Sequence, residues 1–195
     1  DRDVHPLDIV IPDQLIDRTK SRVNSFFQEG LAAHITFADP FCPVLSRTLY
    51  DAAGGIAARV HMGGTYLVME GPAFSTRAES FLYRSWGASI IGMTALPEAK
   101  LAREAEMCYA IMACVTDYDC WHEEEESVTI EMVIVNLLKN TAVAKKVLHN
   151  VVGSIPEKRE CGCANALQSA IITGPDLIPK SVKKDLALLI GKYVR

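Results

Sequence analysis

Two carboxylates, Asp117 and Asp119, stand two residues apart in the stretch Val115-Thr116-Asp117-Tyr118-Asp119-Cys120-Trp121. Acids at that spacing can share a proton, accept from neighbouring donors on a heterocycle, or divide the roles of acid and acceptor. On an extended chain residues i and i+2 point to the same side, so both would face one ligand. Upstream, Met107 to Val115 is apolar and rich in β-formers and reads as a buried strand. Downstream, Ile130, Val133, Ile134, Leu137 and Leu138 recur at helical spacing. They predict one apolar stripe on a helix, capped by Thr129, with Glu131 favourable in its first turn. The acids therefore fall where a strand gives way to a loop, the edge at which open α/β sheets bind ligands.

The chain that must hold them has 195 residues, 49% hydrophobic and 23% charged, enough for one globular domain with a real core. A net charge of -4, no basic block and two tryptophans argue against nucleic acid as partner. No apolar run is long enough for a membrane span, and the opening DRDVHPLD is not a signal peptide, so a cytoplasmic protein with no membrane partner is expected. Of six cysteines, Cys42, Cys108, Cys114, Cys120, Cys161 and Cys163, three sit in or beside the expected strand as small core residues. Cys161-Gly162-Cys163 is a poor match to the C-x2-C spacing of zinc sites. No metal is expected, and at least one disulfide is, with its pairing open.

Leu7 to Pro12 reads as a strand and Leu15 to Gly30 as a polar loop or short helix. His34 to Pro43, with two prolines and two aromatics, reads as an ordered loop. Leu45 to Ala58 predicts a helix broken at Gly54-Gly55. Gly63-Gly64 is a turn into an alternating strand, Thr65 to Glu70. Ser75 or Thr76 caps a helix to about Trp86, with Glu79 near the capping-box position. Ala88 to Ile91 is a short strand, Pro97 to Glu106 a helix, and Glu160 to Ala170 and Val182 to Val194 two closing helices. Strands alternating with helices predict an α/β fold with a mixed, largely parallel central sheet flanked by helices, forming a single domain over 1–195.

Three strands end in small or polar segments: Gly71 to Ser75, Gly92-Met93-Thr94 and Thr116 to Asp119. Neighbouring strands would bring them to one pocket. Phe74 offers a flat face for a ring, and Thr94 a hydroxyl for an anion or sugar oxygen. Each has a plainer reading: Phe74 as core, Asp117 and Asp119 as turn chemistry, His34 as structural, Glu123 to Glu126 as a solvated run. The convergence carries the signal.

GPAFSTRAES, then WGASIIGMTALPEAKLAREAEMCYA, then VTDYDCW, resemble the trimeric purine nucleoside phosphorylase and 5'-methylthioadenosine phosphorylase family. The likeness runs from about Leu7 to about Leu148 and fades after Lys158, where the C-x-C tail is similar to archaeal members. The resemblance implies phosphorolysis of an N-glycosidic bond with inorganic phosphate as co-substrate and no cofactor. It implies a homotrimer or dimer of trimers. Members acting on 6-oxopurines carry Glu after the Phe of GP-x-F and Asn at the position of Asp117; here Ser75 and Asp117 stand there. An oxo group at position 6 accepts, whereas the amino group of adenine donates and needs a carboxylate. The resemblance and this polarity point to 5'-methylthioadenosine, giving adenine and 5-methylthioribose 1-phosphate.

The resemblance also implies roles. Asp117 is the acid or donor at N7 and Asp119 holds the exocyclic amine. Phe74, Ser75, Ile91 and Gly92 line the base and ribose site. Met93 meets the ribose, Thr94 the phosphate, and Thr116 the base edge or its support. Ile130, Val133 and Ile134 match the apolar 5' pocket, and His34 a residue that reaches into a neighbouring subunit. Gly92 departs from animal members, which carry Asn. A further N-terminal segment of the family, about half a small domain, carries a Gly-rich phosphate loop and an Arg-His pair, and neither occurs before Asp8. The alternatives are a broad purine nucleoside phosphorylase, or a non-catalytic purine-binding subunit that needs a partner.

Overall fold

Pro12 divides the strands into two sheets. Ile9–Ile11 (β1) is fully buried. Pro12, with no N–H to continue a ladder, ends it, and the chain resumes as Gln14–Arg18 (β2) in a different sheet. The computed structural model describes residues 1–27, 29–122 and 130–194, and Ile130 by its backbone alone. Thr129 and Glu123 to Glu126 lie outside the described residues.

After the irregular segment that carries His34, helix α1 spans Pro43–Ala53, with Pro43 in its first turn. Val60–Met62 (β3) and Thr65–Met69 (β4) follow, then α2 over Arg77–Ser85, β5 over Ala88–Gly92 and α3 over Glu98–Glu104. Ala113–Cys114 (β6) precedes the long α4, Ile130–Ser154, and two short helices close the chain, Lys180–Asp185 (α5) and Ala187–Ile190 (α6). One sheet has the order β3-β1-β6 and the other β2-β4-β5. β6 runs antiparallel to β1. The remaining pairs are parallel. The expected mixed, largely parallel sheet is present, split in two.

Each sheet has its own core. β1 packs on α1 and α4 through Ile9, Ile11, Leu49, Ala53, Val147 and Val151. β4 packs on α3 through Tyr66, Val68, Leu96 and Ala99, with Phe41. A third cluster gathers Leu31, Leu167, Ala170, Ile178, Ile190 and Val194 at the C-terminal end.

Four expectations are corrected. Met107 to Val115 contributes only two strand residues, because Ile111 and Met112 line a cavity instead of pairing. Leu15 to Arg18, expected as loop or helix, is strand because β4 offers it a parallel partner from Thr65 to Met69. The closing segments form a 3-10 turn at Gly162–Asn165 and the short α5 and α6, interrupted at Leu186. On α4 the buried line is Asn140, Val147 and Val151, set by its packing on α1. Ile134, Leu137 and Leu138 are instead 49%, 53% and 66% exposed. The capping box is as expected: the Thr76 hydroxyl accepts from the Glu79 amide at 3.2 Å, and the Glu79 carboxylate accepts from the Thr76 amide at 2.8 Å.

Candidate active site

The ends of β4, β5 and β6 open onto one cavity of about 520 Å³. Phe74, Ser75, Ile91, Gly92, Met93, Thr94, Thr116, Asp117 and Asp119 all line it. Of the remaining expected residues, His34 is exposed and lies elsewhere, its amide donating to the Ala170 carbonyl at 2.8 Å. Val133 is half-buried, and neither it nor Ile134 lines the cavity; Leu137, one turn further along α4, does.

The acid pair is held from both sides, though not as an extended chain would hold it. Asp119 takes φ +61 at the start of a 3-10 turn, and its amide donates to Asp117 Oδ1 at 2.8 Å. This tight local turn replaces the same-side extended geometry read from the sequence, and Asp is among the residues that tolerate such a φ. Asp117 Oδ2 accepts from the Thr116 hydroxyl at 2.6 Å. Asp119 Oδ2 accepts from the buried Ser80 of α2 at 2.6 Å, with Ser75 Oγ at 3.4 Å. Arg84, also on α2, lays its guanidinium 3.4 Å from the Trp121 ring centroid and pins the far end of the turn.

Helix α4 fixes the approach to the acids. Asn136 donates to the Thr116 carbonyl and Asn140 to the Val115 carbonyl, each at 2.8 Å. Asn140 is 3% exposed, so it sits in the core for that bond. The opposite wall is fixed by Arg22, whose side chain is 18% exposed. It donates to the carbonyls of Met93 at 2.6 Å, Glu70 at 2.8 Å and Met69 at 3.3 Å, and to that of Leu96. Sequence reading missed Arg22, Ser80, Asn136 and Asn140. The asparagine pair at i, i+4 within an apolar helix was the one visible signal.

Gly92 now has a physical reason. A Cβ built there would stand 2.2 Å from the Tyr66 hydroxyl and 3.0 Å from its ring. Tyr66 is itself 6% exposed and lines the cavity, so its phenol fills the space that a side chain at 92 would take. Gly92→Ala is expected to cost about 1–3 kcal/mol through overpacking. Thermal unfolding beside the parent chain checks this, and an unchanged Tm would show that Tyr66 moves aside freely.

The sequence that builds this cavity has known relatives. The model of the family described as the phosphorylase superfamily matches residues 1–153. This chain belongs to the phosphorylase superfamily. Within that superfamily it is 56% identical over 193 residues to the S-methyl-5'-thioadenosine phosphorylase of Geobacter sulfurreducens, covering 98% of this chain and 68% of the relative. It is 52% identical over 188 residues to that of Koribacter versatilis, covering 96% of this chain and 64% of the relative. A solved methylthioadenosine phosphorylase sourced from an antarctic soil metagenomic library superposes with a TM-score of 0.91 at 46% identity, covering 97% of this chain and 67% of that one. The Schistosoma mansoni methylthioadenosine phosphorylase in complex with adenine superposes with a TM-score of 0.76 at 30% identity, covering 98% and 68%. The chain thus spans about two thirds of the length of these superfamily relatives, 64% in the Koribacter case. The family model ends at residue 153, close to the Lys158 after which the likeness was expected to fade, while the alignment with the Geobacter relative takes in 98% of the chain.

Among the described residues no helix is long and apolar enough to cross a membrane. All six cysteines are free, which corrects the expected disulfide. Cys108 and Cys161 stand with their sulfurs 3.4 Å apart, too far for a bond of about 2.05 Å.

Proposed function

We propose that this chain carries the nucleoside-binding half of a phosphorylase that splits 5'-methylthioadenosine with inorganic phosphate into adenine and 5-methylthioribose 1-phosphate. The single observation that carries the reading is the acid pair at the cavity wall, with Ser75 rather than an acid after Phe74. The Asp119 carboxylate offers an acceptor to the 6-amino edge of adenine, where a 6-oxo group would set lone pair against lone pair. Names and complexes of the superfamily relatives agree with this choice.

In the reaction, phosphate attacks the anomeric carbon while the C–N bond breaks through an oxocarbenium-like state. Adenine departs with the glycosidic electron pair, and Asp117 protonates or hydrogen-bonds N7 as charge builds there. Asp119, steadied by Ser80, takes the exocyclic amine. Met69, Ile91, Met93 and Leu137 give the cavity apolar surface for ribose and a methylthio group. Thr94, exposed at the mouth, is the phosphate contact.

Val133 and Ile134 complete the 5' pocket when copies of the chain assemble as a homotrimer or dimer of trimers, with His34 reaching in from a neighbour. Met132, Ile134, Val135, Leu137 and Leu138 form an exposed apolar strip along α4, and Phe74 is 80% exposed at the cavity lip, as an unassembled subunit would leave them.

One observation favours the second reading, a purine-binding chain whose phosphate half is supplied by another segment or subunit. Among the described residues no lysine, arginine or histidine lines the cavity to meet the phosphate charge. Comparing turnover of methylthioadenosine, adenosine and inosine decides between the readings. The expected order is methylthioadenosine, then adenosine, with kcat/KM for inosine lower by about a hundredfold or more. Equal use of inosine would defeat the role given to the acid pair. Tight adenine binding without phosphorolysis would establish the second reading.

A further inference from the structure

We infer that Cys42, Cys108, Cys161 and Cys163 form a binding site for one zinc ion, away from the cavity and structural in purpose. Their four sulfurs all lie within 4.8 Å of one another. A tetrahedral zinc tetrathiolate has Zn–S bonds of about 2.3 Å, which place sulfurs roughly 3.8 Å apart along each edge. The observed 3.4 Å between Cys108 and Cys161 is close to such an edge. Small side-chain rotations close the remainder.

The thiols come from three separate segments. Cys42 is the residue before α1. Cys108 follows α3, and Cys161 and Cys163 bracket the start of the 3-10 turn at Gly162–Asn165. The Cys42 amide donates to the Tyr109 carbonyl at 2.8 Å, so the first two ligand segments are already tied by backbone. Cys42 and Cys163 are 1% and 6% exposed, and the other two are half-buried, which leaves an entry side. A lone buried cysteine is a small hydrophobe. Packing alone gives no reason for thiols from distant segments to converge on a single point, whereas one ion coordinated by all of them does. Ligand spacing along the chain conceals such a site, because two of the four thiols come from the other side of the fold.

Binding forms four Zn–S bonds and breaks four S–H bonds, releasing the protons to solvent with no change of oxidation state. Two basic side chains hold backbone carbonyls of the ligand segments. Arg159 donates to the Glu106 carbonyl at 2.8 Å and Lys192 to the Ala164 carbonyl at 2.7 Å, each within two residues of a ligand. The ion would fasten the C-terminal cluster, which holds Leu167, Ile190 and Val194, to the start of α1 and the end of α3.

The test is metal analysis of the chain purified under reducing, oxygen-free conditions after exposure to Zn²⁺. One zinc per chain is expected. Only Cys114 and Cys120 should react with a thiol reagent until a chelator strips the ion. Co²⁺ in its place should give the intense visible bands of tetrahedral thiolate coordination. Cys108→Ser and Cys161→Ser should each lose the zinc and Cys114→Ser should keep it. The parent chain's metal content and cobalt spectrum decide the matter even where a variant fails to fold. A zinc-free chain with all four thiols reactive, or a disulfide within the set under the same conditions, would overturn the inference.

Discussion

Asp117→Asn is expected to lower kcat for phosphorolysis of methylthioadenosine by more than about tenfold, or at least ~1.4 kcal/mol of transition-state stabilisation. The substitution keeps shape and one acceptor, so the Asp119 amide, now 2.8 Å from Asp117 Oδ1, can stay bonded to the amide oxygen. The Thr116 hydroxyl, which donates to Oδ2 at 2.6 Å, can rotate to accept from the new NH₂. The turn therefore survives and the fold is not the variable. What disappears is a carboxyl group able to relay a proton to N7 as the base departs. An amide donates a hydrogen bond but does not give up its proton. Loss should appear in kcat more than in adenine affinity, because Asp119 and its Ser80 support are untouched. The ratio of inosine to methylthioadenosine turnover should rise, since an amide donor suits a 6-oxo group. Steady-state kinetics on both substrates, with adenine binding by calorimetry, separate these effects. Unchanged kcat would remove Asp117 from the chemistry.

Arg22→Ala should have a large effect on stability, about 2–4 kcal/mol, because several hydrogen bonds to one charged group are lost at once. One guanidinium serves the carbonyls of Met69, Glu70, Met93 and Leu96, and its Nε faces Glu70 Oε1 at 3.5 Å. Removal leaves four carbonyls without this partner, that of the buried Leu96 among them, and an unmade bond to a buried group costs more than a made one contributes. At about 2–4 °C per kcal/mol for a chain of this size, Tm should fall by roughly 10 °C. Lysine should recover only part, because one ammonium cannot span two strand ends as a planar fork can. The Lys20 amide, then the Ser21 amide and the Arg22 side chain, hold the Glu70 carboxyl below its ordinary value, with burial opposing them. A depressed folded value means the contribution is present above the unfolded pKa and is lost as pH falls through the folded one. The clasp is thus intact at neutral pH and loosens in acid. Differential scanning calorimetry of both variants checks this, and a Tm within a degree or so of the parent would show those carbonyls to be solvated.

Elements whose signals are local are legible in the sequence. The Thr76–Glu79 box, β4 and β5 need only capping chemistry and alternation, and the convergence of Phe74, Thr94 and Asp117 on one pocket follows from strand order. Features decided by a distant partner are not. Gln14–Arg18 is strand only because β4 lies beside it. Met107 to Met112 is equally apolar whether it pairs or roofs a cavity. Helix α4 has more than one apolar line, and α1 selects which is buried. Arg22 and Ser80 read as ordinary polar residues until the strand ends they hold are seen together.

Tyr66 and Gly92 lie on adjacent parallel strands, with Tyr66 paired to Ile90 in register. Their shared space admits the phenol of one or a side chain on the other. The two positions therefore cannot drift independently. A side chain at 92 calls for a smaller residue at 66, and each change made alone leaves either a clash or a void. A double-mutant cycle over these sites would show strong coupling of favourable sign, so this wall of the cavity behaves as one unit shared by two strands.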